Sequence, residues 1–144
     1  MLSPIVYHLL LIAVAAYAFL RGRRDERLAA AICVFATIAT RLVLSPTPER
    51  YSGVEIGVLV VDFLTLAGFV GIALKTDRFW PLWIAGLQLT TMVAHILKAI
   101  EVDLVPHAYA AAGRFWVYPI FLIIVIGTWR SHRHSRRERL TSTA

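Results

Sequence analysis

VEIGVLVVDFLTLAGFVGIAL, residues 54–74, is 21 residues long, with Glu55 and Asp62 as its only charges. As a helix it rises about 30 Å, the thickness of the hydrocarbon core of a bilayer. Apolar residues lie on all its sides, so it reads as a membrane span and not as the one-sided helix of a soluble domain. Four more such segments flank it, at about 4–20, 28–44, 81–100 and 109–129. The last is plainly apolar only from Phe115 to Trp129; spanning requires extending it back through Tyr109 to Gly113, with Arg114 in its outer turns. The expected architecture is an all-α membrane protein, a bundle of five transmembrane helices with short loops. Residues 1–129 form a single transmembrane domain and residues 130–144 a basic cytoplasmic tail.

Composition points the same way. The chain has 144 residues, 58% of them hydrophobic and 17% charged, with a mean hydropathy of +0.68. A globule this small could not bury that much apolar surface. The spans leave no room for a soluble catalytic domain.

Lys and Arg are retained on the cytoplasmic side of membrane helices, so loop charge sets orientation. Arg21, Arg23, Arg24 and Arg27 follow the first segment, Lys75 and Arg78 the third, and Arg130, Arg133, Arg136, Arg137 and Arg139 the fifth. With five spans all three groups share one face, which places the N-terminus outside and the C-terminus in the cytoplasm of a bacterial-type inner membrane. Ala13 and Ala15 mimic a signal-cleavage pattern, but the arginines follow the apolar run instead of preceding it, so the first segment reads as a retained anchor. Trp80, Trp83 and Trp129 fall at the inner boundary, and Tyr51, Tyr109, Trp116 and Tyr118 toward the outer one, as interfacial aromatics do. The run from Arg130 to Arg139 supplies most of the net charge of +6. Joined directly to a helix end, it reads as a solvated tail holding anionic lipid head groups, not nucleic acid. His132 and His134 in that tail make no convincing metal site, and Cys33, the only cysteine, reads as a small packing residue.

The chemistry-bearing residues lie inside the spans. Gln88, Thr91, His95 and Lys98 are spaced to share one face of the fourth helix, Glu55, Asp62 and Thr65 one face of the third, and Thr37 and Arg41 lie a turn apart on the second. Counted at 1.5 Å per residue from the inner boundary, Arg41 and Asp62 both come out at about 20 Å, and His95 and Arg114 at about 24 Å. Lys98 and Glu55 follow at about 28 to 30 Å. A charge facing lipid at mid-span costs about 2.5 to 3.5 kcal/mol, so these groups should face one another. Equal depth suggests two pairs, Arg41 with Asp62 and Lys98 with Glu55, with His95 and Arg114 adjusting the balance.

This cluster has two readings: a polar register that holds helices together, or the floor of an outward-facing site for a proton, ion or small polar ligand, with His95 titrating if water reaches it. Haem through His95 would need a second histidine at matching depth, and His8 lies more than a turn higher, so no cofactor is expected. Asp62 and His95 have no nucleophile beside them, which argues against an enzyme. The sequence therefore points to a non-catalytic accessory or assembly subunit of a larger membrane complex, whose partners are the bilayer and other membrane subunits or further copies of itself. The alternative is a small oligomeric transporter or sensor of pH or ligand.

Overall fold

The computed structural model describes residues 4–43, 56–100 and 115–142. They form five helices: α1 (Pro4–Arg21), α2 (Arg24–Val43), α3 (Ile56–Lys75), α4 (Trp80–Ile100) and α5 (Val117–Ser142). Each expected segment is matched by a helix. Residues 44–55 and 101–114 lie outside the described set, and with them the expected outer ends of the second, third and fifth segments.

The helices close a ring. Each packs on its neighbours in chain order, α5 returns to α1, and α2 also reaches α5 across the middle. Inward positions recur at helical spacing: Leu11, Val14 and Ala18 on α1, Val61, Phe69 and Ile72 on α3, Ile84 and Ala85 on α4, and Ile120, Phe121 and Ile124 on α5. Small residues let the helices approach. Gly68 lies against Ile32, so that an added Cβ would come within 2.9 Å of its Cδ1, and Gly57 lies against Val43 closely enough to leave no room for one.

The α1–α2 connection is only Gly22 and Arg23. The Gly22 N–H still bonds the Ala18 carbonyl at 2.8 Å. A Cβ there would strike that same carbonyl oxygen and approach Glu26 Cβ to 2.9 Å, so the turn requires glycine. Glu26, third in α2, reaches back so that its Oε2 accepts the Arg23 N–H at 2.9 Å, which is half of a capping box. Pro81 occupies the first turn of α4, where a missing N–H costs little.

By length and composition three helices can cross a membrane: α1, α3 and Trp80–Leu97 of α4. The other two carry shorter apolar stretches, because α2 opens on Arg24, Asp25, Glu26 and Arg27 and α5 turns basic after Trp129.

The basic tail is helical. Arg130 onward is not a free strand of charge but a continuation of α5 to Ser142. The segment has no glycine or proline and is rich in arginine, a good helix former. His134 and Glu138 pair one turn apart at 3.2 Å, and Arg133 lies 4.6 Å over the Trp129 ring.

Candidate functional site

The polar stripes of α3 and α4 face each other. Gln88 and His95 are seven residues apart, about 10 Å along α4, yet both converge on one carboxylate. Gln88 Nε2 donates to Asp62 Oδ1 at 3.2 Å, and His95 Nε2 lies 3.3 Å from Asp62 Oδ2. Thr91 sits between them on the same face, 7% exposed, and its hydroxyl bonds the Leu87 carbonyl. The side chains of Asp62 and His95 keep 16% and 21% of their exposure, so the pair is enclosed without being sealed.

Arg41 is not the partner of Asp62. Its Nη2 donates to His8 Nε2 at 3.1 Å, near the N-terminal end of α1. His8 Nδ1–H in turn donates to the Pro4 carbonyl at 2.6 Å. A carbonyl can only accept, so Nδ1 carries the proton and Nε2 offers its lone pair to the guanidinium. Both ring nitrogens of His8 are then engaged. One turn before Arg41 on α2 the α1–α2 contact repeats, with Tyr7 Oη 2.7 Å from Thr37 Oγ1 and the Thr37 hydroxyl donating to the Cys33 carbonyl at 2.8 Å. Cys33 itself packs against the apolar core. Glu55 and Arg114, and the side chain of Lys98, lie outside the described residues, and with them the expected Glu55–Lys98 pair.

A second polar cluster, at the other end of the bundle, escapes the sequence reading. Glu26 is fully buried, and its Oε1 accepts from Arg78 Nη1 at 2.7 Å. The same Nη1 reaches Ser131 Oγ on α5 at 3.2 Å. Asp25 accepts the Thr76 hydroxyl at 2.9 Å. Arg21 Nη1 donates to His132 Nε2 at 3.0 Å, and Arg23 Nη2 reaches Ser135 Oγ at 2.9 Å and Glu138 Oε2 at 3.3 Å. The extension of α5 is thus fastened to the α1–α2 turn and to the α3–α4 connection. The signal available in the sequence was a glutamate three residues beyond a glycine-arginine turn, where a capping box places it.

Of the tail arginines, Arg130, Arg136 and Arg137 are exposed and free of such contacts among the described residues, whereas Arg133 covers Trp129. Trp129 and Trp83 remain exposed, but Trp80 is turned inward over Gly127, with its Nε1 buried. No group of His, Cys, Asp and Glu among the described residues could hold a metal ion. Comparison with protein families, with curated proteins and with solved structures finds no match to this chain.

Proposed function

We propose that this chain crosses a bacterial-type inner membrane five times, with its N-terminus outside, and serves without chemistry of its own as an accessory or assembly subunit of a larger membrane complex. Three helices of sufficient length and apolarity support the membrane reading. The apolar parts of α2 and α5 are packed into the same ring, so a bilayer that holds the three also holds them.

The observation that carries the subunit reading is the contrast among the glycines. Gly57 and Gly68 are filled by neighbouring side chains, whereas a Cβ on Gly71 or Gly86 would meet nothing within 4 Å. Gly71 follows exposed Ala67 by one turn, and Gly86 precedes exposed Thr90 by one turn. Helices associate in lipid through such small-residue faces, since no hydrophobic force drives them together there. Two open ones on adjacent helices are surfaces for another helix. Purification in mild detergent should therefore yield a stoichiometric membrane-protein partner that is lost on Gly71→Leu or Gly86→Leu while the chain stays folded. Retention of the partner by both variants defeats the reading.

The Asp62–His95 contact favours a second reading, a sensor or transporter of protons or small cations. A carboxylate and an imidazole held together between two membrane helices, both partly accessible, form a group that can exchange a proton.

A further inference from the structure

The segment Arg21-Gly-Arg-Arg-Asp-Glu-Arg27 contains four bases and two acids, and the fold sorts them by direction. Asp25 and Glu26 turn into the bundle, where Thr76, Arg78 and the Arg23 N–H take up their oxygens. Arg24 and Arg27 turn out: both are exposed, and neither side chain makes a hydrogen bond or ion pair among the described residues. On the other side of the helix Glu26 is paired with Arg78, and Asp25 accepts the Thr76 hydroxyl. Between α1 and α2 at this point runs an open groove of about 540 Å³, lined by Phe19, Arg23, Arg24, Arg27, Leu28 and Ala31. Its character changes along its length, from guanidinium at the turn to apolar side chains farther in. The apolar face then continues along α2 through Phe35 and Ile38, which are 68% and 54% exposed.

From this arrangement we infer that the α1–α2 hairpin binds one anionic phospholipid, its phosphate between Arg24 and Arg27 and its acyl chain laid along Leu28, Ala31 and Phe35. Guanidinium forks match phosphate oxygens in pairs. A soluble phosphate compound would use the arginines but leave the apolar floor uncovered, and an apolar partner helix would leave the arginines uncompensated. A phospholipid satisfies both. The site is separate from the basic extension of α5, where Arg136 and Arg137 stand on a helix beyond the apolar part of the bundle. The inference rests on the membrane reading above.

The full chain, purified in a neutral mild detergent and titrated with phosphatidylglycerol, should retain one lipid per chain by native mass spectrometry, and phosphatidylcholine should be retained weakly. A basic residue at an anionic lipid surface is worth about fivefold in affinity, so Arg24→Gln with Arg27→Gln should weaken retention about 30-fold. Arg136→Gln with Arg137→Gln should change it less than about threefold, since those residues lie outside the groove. Glycerol phosphate at the same concentration should not compete. Equal loss in the two double variants, equal retention of phosphatidylcholine, or displacement by glycerol phosphate would each overturn the assignment. A photoreactive phosphatidylglycerol on the unaltered chain gives the same answer without mutation: label within residues 19–35 supports the site, and label confined to 130–142 overturns it. If the chain instead partitions into the aqueous phase without detergent, the membrane reading itself has failed, which is a different result from lipid bound elsewhere.

Discussion

Replacing Glu26 with alanine removes the acceptor of two donors at once. Arg78 loses a 2.7 Å charge-assisted bond, and the Arg23 N–H loses its cap at the start of α2. Truncating one partner of a buried ion pair costs about 3 to 5 kcal/mol, because the other charge is stranded. Here the lower end applies: the Arg78 side chain is 30% exposed and also touches Ser131, so it can turn partly to water. A lost helix cap adds about 1 kcal/mol. The expected destabilisation is about 4 kcal/mol for Glu26→Ala. Glu26→Gln keeps the shape and one carbonyl acceptor, and should cost roughly a third of that, the difference between a charged and a neutral hydrogen bond. Reversible unfolding by SDS titration in mild detergent micelles measures both. The decisive comparison is Glu26→Ala in an Arg78→Met background, where no charge is left stranded and the cost should fall to about 1 to 2 kcal/mol. If Glu26→Ala costs the same with and without Arg78, or lies within about 0.5 kcal/mol of the unaltered chain, the pair does not hold this end of the bundle together.

Asp62→Asn and His95→Gln should be non-additive in the same assay, with a coupling of about 0.5 to 2 kcal/mol, whereas Asp62→Asn and Arg41→Gln should be additive; coupling of Asp62 to Arg41 would contradict the α3–α4 site. The subunit reading expects His95→Gln to be nearly silent in cells, and the sensor reading expects it to abolish a pH response between about 5 and 8 without loss of folding. For topology, reporters fused after Arg139 should be active only if they work in the cytoplasm; an active periplasmic reporter at that position would reverse the orientation or remove one crossing.

The polar stripes of α3 and α4 were legible in the sequence because helical spacing alone places Gln88, Thr91 and His95 on one face, and the bundle turns that face toward Asp62. The partner of Arg41 was not. Counting residues gives depth, and Arg41 and Asp62 do share a level by that count, but it gives no angle around the helix axis. Thr37 and Arg41 lie on the side of α2 that meets Tyr7 and His8 of α1, away from α3. The cluster around Glu26 was missed for a different reason. Loop charges were read only for the side of the membrane they mark, which treats every arginine alike and passes over Glu26, whose burial depends on how closely Gly22 lets α1 and α2 approach. The helical tail was hidden similarly: the thirteen residues from Arg130 to Ser142, with Leu140 as the one apolar side chain, show no apolar stripe, and the bonds from Arg21, Arg23 and Arg78 that hold the segment come from distant parts of the chain.

Because α5 closes the ring against α1, α1 waits for a helix made about a hundred residues later. Until residues 131–138 leave the ribosome, Arg21, Arg23 and Arg78 lack their contacts with His132, Ser135, Glu138 and Ser131. A nascent chain that stops at Trp129 has all its apolar helices and an unlatched bundle. The C-terminal turns therefore act as a completion check: only a chain translated through Glu138 can assemble the latch around Glu26 and Arg78, and truncated products remain open at that end of the bundle.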